Sequence, residues 1–418
     1  MMNYATHPHS VNVEKTAIGS GRRIKDAARI NTRSLGENTN PEYEFRYIDI
    51  GNVNQNGIID EPEIVQFDAA PSRARRIVVQ GDVIISTVRT YLKAVAYFNF
   101  KPENYIVSTG FAVLSHMKRV VPAFLSYYCQ SDFFIDLVIK NSKGVSYPAI
   151  NASELSALEF FCPPLKEQTA IANYLDAKTQ TIDKKITLLE EKIGYYQELR
   201  KSLVQSVIFR GLEFSNKNYR LKDSGISYIE PIPEHWSVQR IKDQFYIGRG
   251  RVISQEELLH DGKYPVYSSQ TENNGCLGFI ATYDFDTDLL TWTTDGVNAG
   301  TVFKRSGKFS CTNVCGTLKP KKKNLDLGYT AYALHISASH NKRIDTNGAK
   351  IMNGEMAVIQ IPFPPLHEQQ KIASFLDAKL DTIAKITASI QAQVATLKEL
   401  RKTLINDVVT GKIKVSHE

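Results

Sequence analysis

The chain reads as an α+β protein, with two mixed α/β globular domains separated by two long antiparallel coiled-coil helices and an internal pseudo-two-fold repeat. Three observations predict this. Residues 163–203 and 364–404 align without a gap at 19 identities in 41 positions, far above chance, so the chain contains a duplication. Both copies place apolar residues at steps of three and four, the seam of a left-handed coiled coil. Each copy follows a stretch of short β-rich segments punctuated by Gly, Asn, Pro and Asp.

Residues 1–162 form the first expected domain. Strands are expected at residues 45–50, 76–79, 82–88, 94–100 and 110–114, with helices at 122–130 and 131–140. Basic residues gather at turns: Arg22, Arg23 and Lys25; Arg29 and Arg33; Arg73, Arg75 and Arg76; Arg89 and Lys93 around Tyr91; Lys140 and Lys143 before Gly144. Any one cluster is an ordinary solvated loop. Their recurrence beside Gly, Ser, Thr and Tyr is what points toward nucleic acid.

Residues 163–211 form the first long helix. Its seam runs Ala172, Leu175, Thr179, Ile182, Ile186, Leu189, Ile193, Tyr196, Arg200, Leu203, Val207. Pro163 and Pro164 supply a start, since proline is tolerated where the N–H lacks a helical partner, and Gly211 supplies the stop. A helix of about 40 residues is about 60 Å long. Arg200 stands on the seam, as does Arg401 in the second copy; such a residue either snorkels to water along its stem or pins the register.

A polar connector covers residues 212–227, and the second domain spans 228–363. Strands are expected at 239–247, 264–267, 288–292, 300–303 and 314–318, with a helix at 328–339. Trp236 suits a core anchor, and Lys319 to Lys323, interrupted by Pro320, suits a solvated turn. Residues 364–411 form the second long helix, with the seam Ala373, Leu376, Leu380, Ile383, Thr387, Ile390, Val394, Leu397, Arg401, Leu404, Val408, and residues 412–418 form a tail. Both globular parts repeat one order of events: a basic loop, strands, a strand with Ser108–Thr109 or Cys311–Thr312, a helix, and a loop led by Gly144 or Gly348. The duplication therefore extends to the domains.

The net charge of +7 is modest and no segment is strongly basic, so a nucleic-acid role needs the charge sorted onto faces. No run of 18 apolar residues appears and residues 1–20 lack a signal-peptide core, which points to the cytoplasm and away from a membrane. Five irregularly spaced cysteines suit a reducing compartment. Cys311 and Cys315 lack a second ligand pair, so no metal site is expected. No catalytic constellation appears either. The paired prolines are followed by Leu165 and Leu366 instead of an aromatic that stacks a flipped base, and Gly19-Ser20-Gly21 is too short for a phosphate loop.

The doubled Pro-Pro-Leu-x-Glu-Gln and Leu-Asp-Ala-Lys starts, with Tyr47 to Ile50 and Gly81 to Arg89, resemble the specificity subunits of type I restriction-modification systems. The resemblance covers nearly the whole chain. It implies two target recognition domains, each reading half of a split site in double-stranded DNA. The helices would space them and dock two methyltransferase subunits, with motor-nuclease subunits joining for restriction. The chain would be non-catalytic, with S-adenosylmethionine, ATP and Mg²⁺ held by its partners. Helix length would then set the gap between half-sites. Two other readings are a bipartite DNA binder of another phage-defence complex and a coiled-coil protein adaptor without DNA specificity.

In such a protein Lys and Arg hold phosphates while a few side chains read base edges. Loop position nominates Arg33, Arg89, Tyr91, Lys93, Lys143, Ser146 and Tyr147 in the first domain. In the second it nominates Arg249, Arg251, Ser269, Gln270, Thr294, Asn298 and Lys350. Partner docking is expected on outward faces near Glu167, Gln168, Asp176 and Lys178, and near Glu368, Gln369, Asp377 and Lys379.

Overall fold

The computed structural model describes residues 21–55, 57–212, 220–346 and 348–415. The expected connector falls partly outside them, while Gly19, Ser20 and the tail residues 416–418 fall wholly outside. The chain divides into two units, residues 1–190 with 392–418, and residues 191–391.

In the first unit one sheet has the order Glu63–Gln66, Glu44–Ile48, Tyr105–Ser108, Ala74–Ile77. The other has the order Ala28–Ile30, Phe111–His116, Val83–Ser86, Val95–Tyr97. Alternate residues of the second sheet face opposite ways, as a two-residue period requires. Ile84, Ala96, Phe111 and Val113 join Ile48 and Val107 of the first sheet in one core. Val83, Ile85, Val95, Ala112 and Leu114 join the helices Pro122–Gln130 and Asp132–Lys140 in another. A sheet covered on both faces needs unbroken apolar strands, which is why 83–85 and 111–114 carry no charge.

The second unit repeats this topology. Its sheets run Cys276–Ile280, Tyr264–Tyr267, Lys308–Cys311, Phe285–Asp286, and Phe245–Arg249, Cys315–Pro320, Leu289–Thr293, Val302–Arg305. Each unit contains one parallel pair at the same place, Glu44–Ile48 with Tyr105–Ser108 and Tyr264–Tyr267 with Lys308–Cys311. The helix Leu327–His340 takes the place of the two helices of the first unit. The duplication thus includes the domains, as their order of events predicts.

One expected strand is interrupted. Residues 239–247 divide into Ser237–Arg240, a helical turn Ile241–Gln244 and Phe245–Arg249. Ile241, Gln244 and Phe245 are buried, and the i, i+3, i+4 spacing puts all three on one face only in a helix. Ile24–Ala27 is the counterpart in the first unit.

The long helices span Leu165–Arg210 and Leu366–Val409. Gly211 and Gly411, at φ of 73° and 75°, end them in the left-handed region that favours glycine. Each unit uses the head of one helix and the tail of the other. Ile171, Ala172 and Leu175 share the first unit's core with Ile405, Val408 and Val409. Ile372, Ala373 and Leu376 share the second's with Val207, Ile208 and Phe209. Within the first unit the two segments run antiparallel, since Arg401 bonds Asp183 at 2.9 Å while Lys398 meets Glu190 at 2.9 Å. The seam arginines separate: Arg200 is exposed and snorkels, whereas the Arg401 side chain is 14% exposed and holds Asp183.

Gln168 and Gln369 are fully buried. The Gln168 amide oxygen accepts from the Val121 N–H at 2.8 Å and its nitrogen donates to the Pro163 carbonyl at 2.8 Å. Gln369 does the same with the Asp326 N–H and the Pro364 carbonyl, each at 2.8 Å. Val121 and Asp326 are the N-cap residues of the domain helices. Truncation of either glutamine leaves a half-buried N–H and the proline carbonyl without their side-chain partner, at about 1–3 kcal/mol. Gln369→Ala is expected to lower unfolding free energy by about that amount in urea titration, while Glu167→Ala, at a half-exposed side chain, changes it by less than about 0.5 kcal/mol.

Candidate nucleic-acid interface

In the first unit the strand Val83–Ser86 opens into residues 87–94. Arg89 and Lys93 bracket a tight turn there at φ of 51° and 55°. A second loop, residues 141–151, closes on itself through the Lys143 N–H to Ala149 carbonyl bond at 2.8 Å and its reciprocal at 2.9 Å. The loops are bound together. The Ile150 N–H donates to the Thr87 carbonyl at 2.9 Å, and the Thr90 and Ser142 hydroxyls lie 2.9 Å apart. The Arg89 guanidinium stands 5.1 Å from the centre of the Tyr147 ring. Arg89, Lys143, Ser146 and Tyr147 therefore share one place, with Tyr91 on the adjoining turn, whereas the half-buried Lys93 side chain turns toward Asp132.

Their charges are not equally available. Arg89 makes no ion pair among the described residues. Lys143 meets Glu154 at 2.6 Å, which lowers the Glu154 pKa below the usual carboxylate range. Lys93 is 3.8 Å from Asp132. Arg33 lies elsewhere. It bonds the buried Asp82, which precedes Val83–Ser86, and so stands at the strand end opposite Arg89. It also donates to the Ser115 hydroxyl at 3.0 Å, so its role here is to hold the fold.

The second unit builds the same pair of loops. The Ile351 N–H donates to the Thr294 carbonyl at 2.8 Å, matching Ile150 and Thr87. Thr294 is fully buried, and its hydroxyl donates to the Val314 carbonyl at 3.0 Å. It ties down residues 294–301 and offers nothing outward. Asn298 lies in that loop, with its carbonyl accepting from Thr301 at 2.8 Å. Lys350 closes the hairpin Arg343–Asp345 with Gly348–Lys350 and bridges Asp295. Arg249 ends its strand beside this loop, since Gly316 pairs with both Arg249 and Trp292. Arg251 is engaged by Glu257 at 2.7 Å and by both oxygens of Asp284 at 3.2 Å, which raises its pKa.

Ser269 and Gln270 stand on a third loop, where the Gln270 amide turns inward to the Cys276 carbonyl. Arg305 braces this loop and was not legible in the sequence. Only 2% exposed, it donates to the Asn274 carbonyl at 2.8 Å and lies 3.6 Å from the Tyr267 ring centre. Burial pushes its pKa down. Asn273 and Asn274 are both left-handed, at φ of 47° and 55°. The only sequence signal was the Asn-Asn-Gly turn itself. The Lys319 to Lys323 run leaves at the other end of the sheet, where Phe245 pairs with Pro320.

The residues nominated for docking divide as well. Gln168 and Gln369 are sealed inside, so they form no outward face. Asp176 accepts from the Tyr127 hydroxyl at 2.7 Å and Asp377 from Tyr332 at 2.6 Å. Glu368 accepts from His235 at 2.8 Å and the Trp236 indole at 2.9 Å. Lys178 and Lys379 stay exposed, each 5.7 Å from the ring of Tyr174 or Phe375 one turn back. Glu167 is half-exposed.

The family model of the type I restriction modification DNA specificity domain matches residues 21–192 and again 233–396. The type I restriction enzyme MpnII specificity subunit of Mycoplasma pneumoniae is 36% identical over 201 residues, 47% of this chain and 61% of that protein. S.MpnORF507P and S.MpnORF615P of the same organism, both named as type I specificity subunits, are 42% and 33% identical. These matches take in 36% and 59% of this chain, and 42% and 90% of the relatives' lengths. Among solved structures, the HsdS subunit from Thermoanaerobacter tengcongensis aligns over 94% of this chain and 97% of its own, with a TM-score of 0.53 at 22% identity. A chain from a structure on complex assembly and conformational transition of the type I R-M system reaches 0.74 at 22% identity, covering 94% and 98%. At that identity both show the shared fold.

Gly250 lets the Arg249 and Arg251 loop lie against the neighbouring strand. A Cβ there would meet the Cys311 carbonyl oxygen at 2.2 Å and that of Thr312 at 2.3 Å. Gly250→Ala is expected to destabilise the protein by about 1–3 kcal/mol through forced backbone strain, read as a lower urea midpoint at unchanged slope.

Proposed function

The chain belongs to the type I restriction modification DNA specificity domain family, two copies of which it carries, and from that premise we propose that it is the sequence-reading subunit of a type I restriction-modification complex. Each domain reads one half of a bipartite site in double-stranded DNA through its pair of bound loops. The observation that supports this most directly is the convergence of Arg89, Tyr91, Lys143, Ser146 and Tyr147, from two segments about 50 residues apart, on one exposed place. The equivalent loops of the second domain carry Asn298 and Lys350 beside Arg249. Cations positioned on phosphates give affinity, and neighbouring polar side chains reach base edges.

Methyl transfer, ATP use and DNA cleavage fall to partner subunits, which supply S-adenosylmethionine, ATP and Mg²⁺. Methyltransferase subunits dock on the helix heads, using the exposed Lys178 and Lys379 with Glu167, while the buried glutamines and bonded aspartates keep those heads in shape. The helices separate the domains along the chain and so set the gap in the site. Among the described residues no helix is long and apolar enough to cross a membrane, which is consistent with work on chromosomal DNA in the cytoplasm.

Methylome sequencing with and without this gene is expected to show a split adenine-methylated motif that disappears on deletion; an unchanged methylome overturns the proposal. Arg89→Ala removes a phosphate or base contact in the first half-site only. It is expected to weaken duplex binding about ten-fold and flatten the salt dependence by about one counterion if the contact is to phosphate, with methyltransferase co-purification unchanged.

A further inference from the structure

The three most exposed large apolar side chains among the described residues are Val145, Val297 and Ile344, at 101%, 95% and 84%. All three stand on the paired loops. Val145 is at the tip of residues 141–151, Val297 is in residues 294–301, and Ile344 is in the hairpin that follows the domain helix. Residues 141–151 and that hairpin occupy the same topological position in two domains whose loop sequences have diverged. Tyr147, at 66%, extends the apolar tip in the first domain.

These tips are held by main-chain bonds. The Lys143 to Ala149 bond pair and Gly144, at φ of 108°, fix the first. Pairing of Arg343–Asp345 with Gly348–Lys350 fixes the hairpin, and Gly296 beside Val297 lies 4.0 Å from the Cβ position of Gly348. Charged or polar groups flank each tip: Arg89, Ser146 and Lys143, which meets Glu154 at 2.6 Å, in the first domain, and Lys342, Lys350, Asp295 and Arg343, which meets Glu355 at 3.1 Å, in the second. A tip of so few apolar side chains among such groups is small for a protein interface, which needs a broad continuous patch. It fits the geometry of a duplex, where cations hold phosphates and an apolar group enters between bases.

We propose that Val145 in the first domain, and Val297 with Ile344 in the second, act as apolar wedges that each open one base step of the bound half-site. The inference rests on the DNA-reading function above. It adds that specificity comes partly from how readily a step unstacks, at positions where no side chain bonds a base.

The test uses the full chain co-expressed with its methyltransferase, on duplexes carrying 2-aminopurine at each purine of the half-sites except the methylated adenines. Fluorescence is expected to rise several-fold at one step per half-site. Val145→Ala removes the rise in the first half-site alone, and the Val297→Ala, Ile344→Ala double variant removes it in the second alone. Each weakens binding roughly ten-fold, while Val145→Leu keeps the signal. Tight binding with no rise at any such purine overturns the wedges and leaves the DNA-reading function standing, as does a loss of affinity in Val145→Ala with the rise retained. Failure to bind the duplex overturns both.

Discussion

The amide of Gln168, and of Gln369 in the second unit, is the contact on which the rest of each unit depends. It sits between the buried carbonyl of the first proline and the half-buried N-cap N–H of the domain helix. A helix that began earlier would engage the Pro163 carbonyl; because this one begins at Leu165, that carbonyl is left to the side chain. Eight residues on, Asp176 accepts from Tyr127, six residues after its N-cap, and Asp377 accepts from Tyr332, also six after its own. Two fixed points about 12 Å apart along a helix lock both rotation and translation against the domain. The repeated Pro-Pro-Leu-x-Glu-Gln and Leu-Asp-Ala-Lys text is therefore first a fastening.

The fastening explains what else could change after duplication. Once the head of a helix is registered, the domain core needs only an apolar tail to close it, and Val408 and Val409 or Val207 and Ile208 serve equally. Burying each of these side chains contributes about 1.5–3 kcal/mol. Charges beyond the fastening drifted freely. Arg401 is held by Asp183, but the counterpart of Asp183 is Ala384, and Arg200 is exposed. With Asp183 half-exposed, that ion pair contributes at most about 1 kcal/mol, so its loss in one copy costs little. Glu368 likewise collects Trp236 and His235, while Glu167 makes no side-chain hydrogen bond among the described residues.

The helices and their ends were legible because their causes are local: a seven-residue seam, proline before and glycine after. The strands were legible where both faces are buried, as at residues 83–86. The turn at Ile241–Gln244 was not, because its i, i+3, i+4 pattern is only one turn long and merges with the flanking alternation. Loop position was legible, in that Arg89, Tyr91, Lys93, Lys143, Ser146 and Tyr147 stand on the two joined loops. It misplaced Arg33, whose partner Asp82 is 49 residues away, and Thr294, whose hydroxyl closes on Val314. Whether a polar side chain faces water or the fold depends on contacts remote in sequence, and periodicity carries no record of them.

That dependence also explains why the paired loops can differ between the two units on a constant frame. In both units the loop after the central strand is tied by backbone bonds, Ile150 to Thr87 with Thr90 to Pro148 in the first and Ile351 to Thr294 in the second, and a main-chain bond asks nothing of side-chain identity. Thr90 and Thr294, which face inward, are buried, whereas Val145, Ser146 and Val297 are exposed. Substitution at the outward positions leaves the cores, the sheet order and the glutamine fastening untouched. The loop tips can therefore change without loss of folding, and the stability of each unit resides in its cores, its sheets and its glutamine fastening.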